Sequence, residues 1–121
     1  MEIYRSKNGF TLVEIMIVVV IIGLLFAIAV PNYFKAGVTS KRNVCITNLK
    51  QIDTAISGWA IDNEVPAGTA PDQGQEDGIY SYIKGPKPVC PSGGTYTIYL
   101  VGVKPQVRCS HEASEDHKLP D

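Results

Sequence analysis

From Phe10 to Val30 the chain reads FTLVEIMIVVVIIGLLFAIAV, 21 residues with a single ionisable side chain, Glu14. As a helix this run spans about 30 Å, the thickness of a bilayer's hydrocarbon core. Its many valines and isoleucines are mediocre helix formers in water. In hydrocarbon no water is left to satisfy the backbone, so the segment must bond to itself and the helix is enforced. A secretory signal peptide has a shorter apolar stretch followed by a small-residue cleavage site, whereas this run passes directly into Val30-Pro31-Asn32-Tyr33. The run therefore reads as a membrane-spanning helix. Arg5 and Lys7 just before it place its N-terminus on the cytoplasmic side and the rest of the chain outside the cytoplasm.

So long an apolar block leaves little of a 121-residue chain for a water-soluble core. A core that small is marginal and calls for a staple, a partner or both. Eleven basic against twelve acidic residues, a formal charge of −1, give no electrostatic footprint for nucleic acid. Glu14 is the anomaly. A carboxylate about one turn inside a membrane segment is costly and is expected to have a specific cationic partner.

Lys7-Asn8-Gly9-Phe10-Thr11-Leu12-Val13-Glu14 resembles the class III signal of type IV prepilins and type II secretion pseudopilins: a short basic leader ending in Gly, then Phe, then T-L-[VIL]-E. The match continues along the apolar run to Pro31 and covers about the first 31 residues. The resemblance implies that a membrane prepilin peptidase cuts between Gly9 and Phe10 and that the new Phe10 amine is methylated. Gly9 suits such a site because a backbone without Cβ can be approached closely. The amine supplies the missing partner for Glu14, in its own chain or in a neighbour of a staggered filament. There an ion pair sets register while apolar helix packing supplies adhesion.

Pro31 removes one helical hydrogen bond and crowds the carbonyl of Ala27, so a kink or loosening is expected between Gly23 and Pro31. Filaments of the resembling family melt their helices over such a Gly–Pro interval. Beyond Pro31, Val38, Cys45, Ile52 and Trp59 are spaced by seven, with Leu49 and Ile56 between them. This apolar stripe predicts a helix to about Asp62, ended by Asn63-Glu64-Val65-Pro66. The segment resembles the pseudopilin pattern of a helix followed by D-N-G-x-[YF]-P, with Glu64 standing where Gly is usual. Residues 67–78 read as a surface loop and Ile79–Ile83 as a short helix, with strand as the alternative. Thr95–Val101 alternates as a strand, and Val103–Cys109 is its return.

The expected architecture is α+β: a leader (1–9), a transmembrane assembly helix (10–30), its amphipathic second half (31–64), and a small C-terminal region (65–121) with an antiparallel hairpin packed on the long helix. Cys90 and Cys109 flank that hairpin. Outside the cytoplasm a bridge between them is expected, resembling the C-terminal disulfide of many pilins; pairing of Cys45 with either is the competing arrangement. No metal is assigned. Cys90, Cys109, His111 and His117 are zinc-competent but lack recognisable ligand spacing. Calcium, which major pseudopilins often bind in a C-terminal loop, has candidate oxygens at Ser114, Glu115 and Asp116. Beyond the helix no nucleophile–base pair, phosphate-binding glycine loop or carboxylate dyad is legible, so no enzyme is expected.

The reading is thus a structural filament subunit of the bacterial inner membrane, with its C-terminal region periplasmic. Its expected partners are copies of itself, other pilins or pseudopilins, the prepilin peptidase, an inner-membrane assembly platform, and the bilayer before assembly. A pseudopilin of a secretion system is preferred. A true pilin for adhesion, motility or DNA uptake, and a non-polymerising anchored metal-binding module, are the alternatives.

Overall fold

The computed structural model describes residues 9–120. Apart from Gly9, the expected leader, with Arg5 and Lys7, lies outside the described residues. The elements in order are α1 (Leu12–Asp62), α2 (Gln73–Tyr80), β1 (Tyr96–Ile98), β2 (Val107–Cys109) and α3 (Glu112–Glu115). The chain divides into two units, Met1–Gly37 and Val38–Asp121.

In the first unit the long apolar run is helical, and its large side chains, such as Phe10, Ile17, Leu24 and Phe26, are all exposed. Helix plus unburied apolar surface on every side is what a lipid-facing or partner-facing segment requires. Across the interval from Gly23 to Pro31, where a kink or loosening is expected, α1 is unbroken in this single chain. A proline costs one hydrogen bond locally, and the bonds above and below it suffice to carry the helix on.

In the second unit α1 buries Cys45, Leu49, Ile52, Ala55, Ile56, Trp59 and Ala60. The predicted stripe is correct from Cys45 onward, whereas Val38 at its head is exposed. Against the stripe pack Ile79 from α2, Ile98 from β1, Val107 and Cys109 from β2, and Cys90 and Val101 from the connections. The hairpin is antiparallel in the register Tyr96↔Cys109, Thr97↔Arg108, Ile98↔Val107, so Ile98 and Val107 form one inward-facing pair. Its strands are shorter than expected because residues 99–106 fold as a compact connection. There the buried Gln106 accepts from Gly102 N–H (2.7 Å) through Oε1 and donates from Nε2 to Asp53 Oδ1 of α1 (2.8 Å).

One local reading is corrected, and another, the end of α1 at Asp62, holds. Residues 73–78, expected in a loop, begin α2. Asp72 accepts from Gln75 N–H, and the Gln75 side chain accepts from Asp72 N–H, a reciprocal capping box. The end of α1 is closed by Val65 N–H to Ala60 O (2.9 Å) and Glu64 N–H to Ile61 O (3.3 Å). This is the Schellman pattern, whose C′ residue is left-handed, and Glu64 holds that place at φ 53°.

Candidate functional site

The start of α1 places the residues of the prepilin-like signal. Phe10 is 87 % exposed and directly precedes the cap. Thr11 Oγ1 accepts from Glu14 N–H (3.2 Å), and Glu14 Oε2 accepts from Thr11 N–H (3.0 Å). Thr11-Leu12-Val13-Glu14 is therefore also a capping box, a T-x-x-E signal the sequence reading passed over. The carboxylate sits where the helix dipole favours a negative charge. The cap uses Oε2, which leaves Oε1 for a second donor. Gly23 and Pro31 lie further along the exposed apolar length of the same helix, and nothing within 4 Å would meet a Cβ built on Gly23.

The second constellation lies in the core of the Val38–Asp121 unit. The sulfurs of Cys45, Cys90 and Cys109 and one ring nitrogen of His117 lie within 4.8 Å of one another. Cys90 Sγ is 3.5 Å and Cys109 Sγ 4.0 Å from His117 Nδ1. His117 and Cys45 are fully buried, and Cys90 and Cys109 nearly so. Each element brings its donor for a local reason. Cys45 lies on the core stripe of α1. Cys90 opens the turn closed by Gly93 N–H to Cys90 O (3.0 Å). Cys109 is an inward-facing position of β2. The tail after α3 turns through Asp116, at φ 55°, and delivers His117 inward.

Burial pushes the Cys45 thiol up to about 12, against the lowering effect of the Tyr96 hydroxyl. Burial likewise raises Cys109, in spite of the His111 backbone N–H directed at it. At Cys90 burial again pushes upward but is outweighed by the backbone N–H groups of Ser92 and Gly94 and by donation from the other two thiols. Its thiol therefore falls below the ordinary range, and any first negative charge in the cluster resides there. The backbone at Gly94 must come this close. A Cβ there would lie 2.6 Å from His111 Cδ2 and 2.9 Å from Cys109 Sγ.

The expected Cys90–Cys109 disulfide is not formed, and all three cysteines are free. The structure offers no isolated pair, because Cys45 adds a third sulfur and His117 lies against two of them. The tail buries His117 completely. His111 stays outside the quartet, its ring centroid 5.7 Å from that of His117. The candidate calcium ligands are exposed and otherwise engaged. Ser114 Oγ is 3.4 Å from His111 Nδ1, Glu115 Oε2 is 3.1 Å from His117 Nε2, and Asp116 lies 3.5 Å from both Arg42 and Lys118.

Residues 4–30 match the family model described as the prokaryotic N-terminal methylation motif. Over 84 residues the chain is 44 % identical to the type IV major pilin protein PilA of Myxococcus xanthus, covering 62 % of this chain and 37 % of that protein. It is 36 % identical over 76 residues to the type II secretion system core protein G of Vibrio cholerae, covering 63 % and 51 %. Against the core protein G of Pseudomonas aeruginosa it is 34 % identical over 82 residues, covering 68 % and 54 %. The chain thus spans between about a third and a half of the length of these relatives. No solved structure matches it.

Proposed function

The chain belongs, through its N-terminal methylation segment, to the family of type IV pilins and type II secretion pseudopilins, and from that premise we propose that it is a pseudopilin-type subunit of a pilus-like filament. A prepilin peptidase cuts after Gly9 and the amine of Phe10 is methylated. The exposed apolar length of α1 lies in the bilayer before assembly and against neighbouring helices after it. The C-terminal unit faces the periplasm. The assembly platform of the inner membrane and other pilins or pseudopilins are its partners, and the Gly23–Pro31 interval is where the helix loosens when subunits pack.

One observation carries the reading: a carboxylate held at the start of an otherwise apolar exposed helix, four residues beyond Phe10. Cleavage before Phe10 creates a cation next to the cap. With Oε2 of Glu14 engaged locally, Oε1 is positioned to accept from the Phe10 amine of a neighbouring subunit. In a helix bundle poor in water that pair is stronger than it would be at a wetted surface. A simple membrane anchor needs neither the cleavage residue nor the acid.

The 44 % identity to a major pilin favours a second reading, a true pilin exposed beyond the cell. Mass spectrometry of membrane-extracted protein tests the shared part: loss of residues 1–9 and a methyl group on Phe10 are expected. A full-length, unmethylated chain that never enters a sheared filament fraction would end both readings. Deleting the gene separates them. Loss of exoprotein release with surface filaments intact fits the pseudopilin, and the reverse fits the pilin.

A further inference from the structure

Four soft or borderline donors from four separate stretches of chain meet in the core of the C-terminal unit: Cys45 of α1, Cys90 of the turn before β1, Cys109 at the end of β2, and His117 of the tail. We propose that Cys45, Cys90, Cys109 and His117 form a structural Cys3His site for one zinc ion.

The distances suit the ion. Zn–S bonds of about 2.3 Å and Zn–N bonds of about 2.0–2.1 Å in a tetrahedron set donor–donor edges near 3.5–3.8 Å. The observed sulfur–nitrogen separations are 3.5 and 4.0 Å, and no edge exceeds 4.8 Å. Contraction by a few tenths of an ångström to one ångström closes the set around a metal. The donor chemistry selects it as well. Thiolates with an imidazole in a tetrahedron suit zinc, whereas calcium takes oxygen ligands.

Each sulfur has a polar neighbour: His117 Nδ1 lies against Cys90 and Cys109, and the Tyr96 hydroxyl donates to Cys45 (3.5 Å). Binding takes up Zn²⁺ and releases three thiol protons, giving a centre of net charge −1. With Nδ1 of His117 on the metal, its proton sits on Nε2. That atom is buried without a hydrogen bond, and the partly exposed Glu115 Oε2 is 3.1 Å away but out of line. A small rotation of the ring on closure around the metal would bring that N–H into line with the carboxylate, which would then fix the tautomer and ring orientation. Gly94 has no room for a Cβ beside Cys109 Sγ, as expected where backbone closes tightly around such a centre. A single disulfide explains none of this convergence: it would use two sulfurs and leave a third, with the imidazole, buried and unpaired.

The site would do for this small core what a bridge does elsewhere, tying α1, the hairpin and the tail at one point. It is independent of the filament reading, since cleavage at Gly9 and assembly through Glu14 involve none of its residues.

The test uses the full chain, extracted in detergent without chelator or reductant. Elemental analysis is expected to return about one zinc per chain, and alkylation after denaturation about three free cysteines. Replacing zinc with cobalt is expected to give the visible bands of a tetrahedral thiolate-rich centre. His117→Ala should lose the metal, His117→Cys retain it, and His111→Ala bind as the parent does. Glu115→Gln should weaken binding by about 10–100-fold. Wild-type protein that takes up no stoichiometric zinc, that carries iron or copper instead, or that is isolated with two of its three cysteines bridged overturns the proposal whatever the variants do. Retention of zinc by a folded His117→Ala, judged by Trp59 fluorescence, overturns the ligand set.

Discussion

Replacing Glu64 by glycine is expected to stabilise the unit Val38–Asp121. Glu64 occupies the left-handed C′ position that closes α1, at φ 53°, and its neighbour Val65 makes the 2.9 Å closing bond to Ala60 O. A left-handed backbone costs an L-residue roughly 1–2 kcal/mol. Glycine avoids that cost but gives up about 0.4–1 kcal/mol through the greater freedom of its unfolded chain. The difference favours Glu64→Gly by about 0.5–1 kcal/mol, which for a unit of this size corresponds to a rise in Tm of about 2–8 °C. The chain has a single tryptophan, and Trp59 is buried one turn before the cap, so its fluorescence on heating reports this unit directly. Glu64→Ala is the control. It removes the carboxylate but keeps the Cβ, and it should leave Tm near the parent value. A Glu64→Gly protein that melts at or below the parent, or a Glu64→Ala protein that gains as much, would show that backbone strain at this cap is not the cause.

Three further outcomes follow from the same structure. Glu14→Gln keeps an acceptor for the Thr11 N–H cap but removes the charge, so filament yield in sheared fractions should fall with membrane insertion intact; Glu14→Ala should do no worse. Gly94→Ala should lower the stability of the C-terminal unit by about 1–3 kcal/mol, because the new methyl must displace His111, Ser110 or the Cys109 sulfur; the Trp59 melt reads it. Asp72→Ala removes the 2.8 Å cap to Gln75 N–H and should cost about 1 kcal/mol in the same assay, with Asp72→Ser close to the parent.

What could be read from the chain alone is what repeats or sits locally. The apolar run, its break from ordinary signal sequences and the heptad spacing from Cys45 to Trp59 are periodic signals, and they gave α1 nearly to its last residue. Capping was legible too, but it was not sought. Thr11-x-x-Glu14 and Asp72-x-x-Gln75 have the same form, and overlooking the second turned the start of α2 into a loop. Glu64 is a related case. Gly is usual at that position in the resembling pattern, and the φ of 53° supplies the physical reason, a Schellman closure that tolerates but does not favour a side chain. Val38 failed because periodicity says which face a residue is on, and not where along the helix a partner exists to cover it.

The cysteine–histidine cluster was illegible for a different reason. Local spacing identifies a metal site when ligands come in pairs on one turn, as in C-x-x-C. Here every ligand comes alone, and the set is closed only by tertiary contact. Cys45 looked like one more apolar residue of a helical stripe, and its burial is indeed what that stripe predicts. Cys90 and Cys109 looked like a pair because they bracket a hairpin. His117 was zinc-competent but had no recognisable spacing, and the residues around it, Glu115, Asp116 and Lys118, are charged. Those charges are what allow the tail to turn: Asp116 adopts the left-handed conformation, stays at the surface within 3.5 Å of Arg42 and Lys118, and lets the histidine go inward. An imidazole buried completely among three thiols has no apolar reason to be there, since burial without polar partners costs free energy. Its Nδ1 at 3.5 and 4.0 Å from two of the sulfurs, with all four donor atoms within 4.8 Å, is what distinguishes a ligand set from a fortuitous gathering of core residues.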